Sequence, residues 1–191
     1  MEMIIDALPF LLKATLVTVY LAVVSMAIGL VIGLFTALAR VSKNKILYSV
    51  ATFYVSIIRG TPLLVQIYLV YFGLPQIGIA LGAFLSGIIA LSLNAGAYLS
   101  ESFRAAILSV DKGQTEAAHS LGMTNWQSMR RIIIPQSIRT AIPTLGNTYI
   151  GLIKDTSLVS VITVTELLYQ TSLIIAKTFQ PLTLYMTAAA I

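Results

Sequence analysis

Asp111-Lys112-Gly113-Gln114-Thr115-Glu116-Ala117-Ala118-His119-Ser120-Leu121-Gly122, running on to Ile132-Ile133-Ile134-Pro135, is a polar interruption in a chain that is oily on both sides of it. The stretch carries the marks of two short capped helices. Asp111 suits the N-cap of the first, with Gln114 three residues on to complete a capping box. Glu116 is placed in the first turn, where a carboxylate favours the helix dipole. Gly122 supplies the left-handed residue at which helices often end. Thr124 and Gln127 repeat the capping-box spacing and open the second helix, and Pro135 fits a break or the first turn of the next element.

The flanks explain why such a loop matters. Of 191 residues 58% are hydrophobic and only 10% charged, where a soluble domain carries about a quarter charged. Mean hydropathy is +0.91. These values place the chain in a bilayer, as a single all-α transmembrane domain over residues 1–191. The net charge of +5 reads as basic loops rather than a nucleic-acid surface. The chain has no cysteine and one histidine, which excludes disulfides, thiolate chemistry and a His-rich metal cluster. The start, Met1-Glu2-Met3-Ile4-Ile5-Asp6, is acidic where a signal peptide is basic, so the first apolar run is a retained helix.

Five hydrophobic segments are expected, at about 10–39, 46–72, 81–103, 138–164 and from 181 onward. The first is overlong and should tilt. The second is interrupted by Arg59-Gly60-Thr61-Pro62, and the fourth is studded with Pro143, Gly146 and Gly151. The last stops at Ile191, too short to cross, and reads as truncated inside its helix. Arg40, Lys43 and Lys45 fall between segments one and two, and Arg104, Lys112, Arg130, Arg131 and Arg139 between three and four. The 73–82 connection is uncharged. The positive-inside rule then puts both basic loops in the cytoplasm and the N-terminus outside. A solvated helical hairpin is one reading of the 111–135 loop, and a docking site for a soluble partner is the other.

Glu116-Ala117-Ala118, Gly122, Ile132, Ile134 and Pro135 together resemble the EAA loop of ABC-importer permeases, with Ile134 where that pattern commonly has Leu. Arg59-Gly60-Thr61-Pro62-Leu63, Asn94-Ala95-Gly96-Ala97-Tyr98 and Lys154-Asp155-Thr156-Ser157-Leu158 extend the resemblance to the polar amino acid branch over nearly the whole chain. Leu8-Pro9-Phe10-Leu11-Leu12-Lys13, Tyr71-Phe72-Gly73-Leu74-Pro75-Gln76 and Asp111-Lys112-Gly113-Gln114 look most like L-cystine permeases. The resemblance implies a multi-pass permease subunit of the bacterial plasma (inner) membrane that imports a polar amino acid. It implies a coupling helix seated in a separate ATPase chain, which would hold ATP and Mg; no cofactor binds this chain. Carried over, Glu116 would make polar contact with the ATPase, Ala117 and Ala118 would pack closely, Gly122 would make the turn, and Ile132 and Pro135 would complete the element. The partners implied are that ATPase, an extracytoplasmic amino-acid-binding protein and a second permease subunit, identical or not. Trp126 and Met129 are expected to pack on the coupling helix or the partner, and His119 to be an exposed or interface residue.

Ionisable residues within spans are costly and become functional candidates. Arg59 stands beside the Gly-Thr-Pro break, and Lys154 and Asp155 lie deep in segment four, whose breaks would free backbone amides at Thr156 and Ser157. Asn94, Tyr98 and Glu101 recur at i, i+4 and i+7 on one helix face, with Arg104 able to pair locally with Glu101. An amino acid zwitterion needs donors for its carboxylate, from Arg59 or the Thr156 and Ser157 amides, and an acceptor for its ammonium, from Glu101 or Asp155. The competing reading is an architectural ion-pair set of Arg59, Glu101 and Asp155. Two other function classes are weighed. A membrane-embedded enzyme lacks HExxH, GxSxG or paired-aspartate motifs, and a Walker-type phosphate loop is absent too. A secondary transporter explains the charges but leaves the capped loop without a role.

Overall fold

A computed structural model describes residues 2–191, and among them every regular element is helical. α1 (Glu2–Val41) is one unbroken helix of 40 residues through Pro9. At 1.5 Å per residue it is about 60 Å long, twice a hydrocarbon core of about 30 Å, so it tilts or protrudes. α2 (Lys45–Gly60) starts on Asn44, whose side chain accepts from the amides of Ile46 and Leu47. It ends at Gly60-Thr61-Pro62 because a proline cannot extend the ladder and drives the preceding residue to extended backbone, here φ −117° and ψ 142° at Thr61. α3 (Leu63–Tyr68) follows and runs on through a π turn (Leu69–Gly73) and a 3-10 turn (Leu74–Ile77).

α4 (Ala83–Leu108) is the central helix, buried along most of its length. α5 (Lys112–Ser120) and α6 (Asn125–Ser128) make the polar loop. From α6 the chain stays helical through a π turn (Met129–Ile133), α7 (Ile134–Asp155) and a 3-10 turn (Thr156–Ile162). α8 (Leu167–Thr178) and α9 (Pro181–Ala190) complete the chain.

Close packing of small residues holds α1 to α4. A Cβ placed on Gly33 would lie 2.7 Å from the Leu99 Cβ, and one on Gly96 would lie 2.7 Å from Ile32 Cγ2. In lipid, where the hydrophobic effect does not drive helices together, such approach is the main source of helix association. Gly29 meets Ala95, and Gly33 meets Leu99 and Ser100, so the two helices run parallel. Their C-terminal ends therefore share a side, and both basic loops leave from it. That agrees with the two loops being assigned to one face of the membrane.

The helix boundaries differ from the expected hydrophobic segments. Only 3–41 and 83–108 are long and apolar enough to cross alone, with up to four crossings if each bent pair is one span. The second segment is an elbow of 106° rather than a simple interrupted span. The expected fourth segment, 138–164, is the middle of a longer helical run, which bends by 51° into α8. α8 itself falls in a region that hydropathy alone assigned to a connection. The bend is made at Thr163, in left-handed backbone at φ 66°. Buried Glu166 then caps α8 by accepting from the amides of Leu168 (2.9 Å) and Tyr169 (2.7 Å), while the Leu167 amide donates to Thr18 on α1.

Candidate functional site

The elbow between α2 and α3 faces α4 and α7 across a cavity of about 510 Å³. Its wall takes Arg59 and Thr61 from the elbow, Asn94 and Tyr98 from α4, and Thr148, Gly151 and Asp155 from α7. Arg59 and Asp155 are the two charged residues of this wall.

Breaking a helix leaves carbonyls without an intrahelical partner, and here one side chain takes them up. Gln66 donates to Ile58 O (2.7 Å), Thr61 O (3.0 Å) and Thr61 Oγ1 (3.0 Å), and accepts from Asn94 Nδ2 at 3.1 Å. Gln66 is buried and satisfied at both ends of its amide. Asn94 thus braces the elbow as well as lining the cavity. Sequence reasoning missed Gln66, although an amide inside the apolar run Leu63-Leu64-Val65-Gln66-Ile67 was the available signal.

Glu101 lies one turn beyond Tyr98 and is a hub rather than part of the wall. It pairs with Arg40 at 2.6 Å, Arg59 at 3.2 Å and Arg104 at 3.3 Å, the last being the local pair expected from spacing. The Arg59 guanidinium also stands 5.2 Å from the Tyr98 ring centroid, a cation–π distance. One carboxylate facing three guanidinium groups leaves local positive charge beside the cavity. Arg40, treated in sequence as a loop charge, is in the last turn of α1 with its side chain only 11% exposed.

Two expectations about the fourth segment require correction. The Thr156 and Ser157 amides are not freed by a break, because the helix passes from α7 into the 3-10 turn without interruption. The Thr156 amide donates to Leu152 O and Lys154 O, its hydroxyl to Ile153 O at 2.6 Å, and its side chain is buried. The Ser157 hydroxyl is spent on Lys154 O at 2.7 Å. Of the three segment-three residues, Asn94 and Tyr98 reach the cavity and Glu101 does not line it. Asp155 does line it, and among the described residues it makes no ion pair, so of the competing Arg59–Glu101–Asp155 set only Arg59–Glu101 is present, joined by Arg40 and Arg104.

The polar loop matches its sequence reading in most particulars. Asp111 Oδ1 accepts from the Gly113 amide at 2.7 Å, but Gln114 does not reach back to complete a box. The Gln114 side chain instead accepts from Gln136 at 3.3 Å, tying α5 to α7. Gly122 has φ 77°, and the amides of Gly122 and Met123 donate to His119 O and Ala118 O, which is the Schellman closure. The Thr124–Gln127 capping box is complete in both directions. Glu116 is the fifth residue of α5 rather than in its first turn, so the dipole argument does not apply to it. Glu116 and Ala117 are exposed, while Ala118 is fully buried within the loop. Ile132 is half-buried in the π turn, and Pro135 is exposed at the start of α7. Trp126 is 62% exposed, lines a groove with α1 and α2, and with Met129 also lines a cavity shared with Thr115 of α5.

Residues 29–191 match the model of a family described as the binding-protein-dependent transport system inner membrane component. The chain belongs to that family. It is therefore a transport subunit and not an enzyme. It is 46% identical over 190 residues to a probable amino-acid ABC transporter permease protein, YckA, of Bacillus subtilis, covering 100% of this chain and 84% of that one. It is 47% identical to the L-cystine transport system permease protein TcyB of Bacillus subtilis, over 96% and 79% of the two chains. Among solved structures, one described as an amino acid ABC transporter with histidines superposes at a TM-score of 0.91 with 42% identity, covering 98% of this chain and 87% of that one. The methionine ABC transporter MetNI, at 0.74 and 22% identity, shares the fold.

Proposed function

We infer that this chain is the permease subunit of an ATP-driven importer of amino acids, and that its solute is a polar amino acid, L-cystine first among candidates, passing through the cavity between the elbow, α4 and α7. The observation that carries the path is the pairing of Arg59 and Asp155 in one wall with the amide of Asn94 and the ring of Tyr98. Opposite charges lining one cavity match the two ends of an amino acid zwitterion. Arg59 serves the carboxylate and Asp155 the ammonium. Glu101 is assigned to holding Arg59 in place, not to the solute. The Thr156 amide is already bonded and neither Thr156 nor Ser157 lines the cavity, so neither is assigned a donor role toward the solute.

Two to four candidate crossings are few for a translocation path, which supports a second permease subunit, identical or not. Coupling falls to the polar loop. Its two capped helices present Glu116 and Ala117 to solvent on a rigid frame set by Gly122, Ile132 and Pro135, the arrangement a cytoplasmic ATPase needs for a firm grip. That ATPase holds ATP and Mg. An extracytoplasmic amino-acid-binding protein delivers the solute on the opposite side, where the N-terminus lies. The chain sits in the bacterial plasma membrane.

The test is uptake of labelled L-cystine into proteoliposomes by the permease–ATPase complex with its binding protein, comparing wild type with Asp155→Asn and Arg59→Gln. A charge-assisted hydrogen bond of about 1.5–3 kcal/mol predicts a loss of about tenfold to a hundredfold with assembly intact. Wild-type rates in both variants would rule out the cavity as the path. Competition by excess unlabelled polar amino acids reads the solute range.

A further inference from the structure

On the side of the basic loops, α1 and α2 diverge to leave an apolar groove of about 670 Å³, running from Ile32 and Tyr54 to Leu38 and Leu47. A second cavity, of about 450 Å³, lies between the α1–α2 turn and the polar loop. The two share Leu38, Ser42 and Trp126, so they form one continuous site with an oily arm and a polar head. Three features mark the head. Lys43 is in its wall and no carboxylate is. Ser128 is also in its wall, 2% exposed, and its hydroxyl has no hydrogen-bond partner among the described residues. Arg130 and Arg131 follow on the same helical turn as Met129, which lines it.

We propose that this site holds one anionic phospholipid from the leaflet on the basic-loop side, its acyl chain along α1 and α2 and its phosphate at Lys43 and Ser128. An apolar arm excludes a purely polar solute, and a buried unpaired hydroxyl and a lysine lining one cavity suit an oxyanion rather than a hydrocarbon end. Trp126 stands where arm and head join. Because Trp126 sits in the helix that follows α5, the lipid lies against the loop assigned to coupling. The assignment is independent of which solute is carried.

Trp126 is the single tryptophan of the 191 residues, so its fluorescence reads the site directly. The full-chain permease is reconstituted in phosphatidylcholine vesicles and titrated with brominated phosphatidylglycerol or, separately, brominated phosphatidylcholine. Trp126→Phe defines the background. The expected result is quenching that saturates at a low fraction of the brominated anionic lipid and exceeds that by the zwitterionic one. Lys43→Gln, in an exposed turn, should raise the half-saturating fraction about fivefold, the contribution of one basic residue at an anionic surface. Equal quenching by both lipids would mean ordinary bilayer contact and would overturn the proposal. No quenching by either would mean that protein covers the groove, a second subunit or further chain, and would overturn it too. A Lys43→Gln titration identical to wild type would remove the phosphate from Lys43 and Ser128.

Discussion

Glu101 takes three guanidinium groups from three separate parts of the chain, so replacing it does more than delete one contact. Arg104 is about a third exposed, and removing it should cost little, within about 1 kcal/mol. Glu101→Gln leaves Arg40, 11% exposed, and Arg59 repelling each other without a counter-charge. It should therefore lower the thermal midpoint in detergent two to three times as far as Arg104→Gln, by about 2 kcal/mol in equivalent terms. Equal effects would show the hub to be a set of independent surface pairs. Gln66 makes a second case. Gln66→Leu keeps the volume but strands Ile58 O and Thr61 O, for about 1–3 kcal/mol, and should also lower uptake because Arg59 and Asn94 lose their frame. Gln66→Glu, which keeps one acceptor for Asn94 and loses the donors, should fail in the same way.

At the scale of elements, what was legible in sequence depended on how local the determining chemistry is. The Thr124–Gln127 box, the Asp111 cap and the Gly122 closure are fixed within a few residues, and all three are present. The elbow at Gly60-Thr61-Pro62 was visible as a break, but its 106° angle was not, since it rests on Gln66 reaching Asn94 from another helix. The freedom expected for the Thr156 and Ser157 amides failed for the opposite reason. Pro143 and Gly151 weaken a helix by propensity, yet tertiary packing carries α7 through both. α8 was missed because its start depends on Glu166 and Thr18, which are 148 residues apart in the chain. Two glycines carry element-scale predictions, one through space and one through backbone conformation. Gly96→Val would force a Cβ to within 2.7 Å of Ile32 and should cost about 1–3 kcal/mol in detergent melts. Gly122→Val meets no neighbouring atoms but must hold φ 77°, so it should weaken capture of the ATPase while sparing the thermal midpoint of the spans. Unchanged capture would show that the Schellman turn does not orient α5.

For the molecule as a whole, parallel α1 and α4 put both basic loops on one side, the elbow and α7 enclose a two-sided charged cavity between faces, and the capped loop projects α5 outward. On the proposed coupling role, a motor that pulls on α5 would reach the cavity through the helical run that α6, the π turn and α7 form from the loop to Asp155. The same run would be idle in a carrier driven by an ion gradient. The most direct test is labelled L-cystine uptake by the reconstituted permease, ATPase and binding protein, with ATP inside or outside the vesicles and with Glu116→Arg beside wild type. Uptake that requires ATP on the loop side, and that falls with ATPase capture in Glu116→Arg, is the predicted result. Uptake driven by an ion gradient without ATP, and unaffected by Glu116→Arg, would contradict the account.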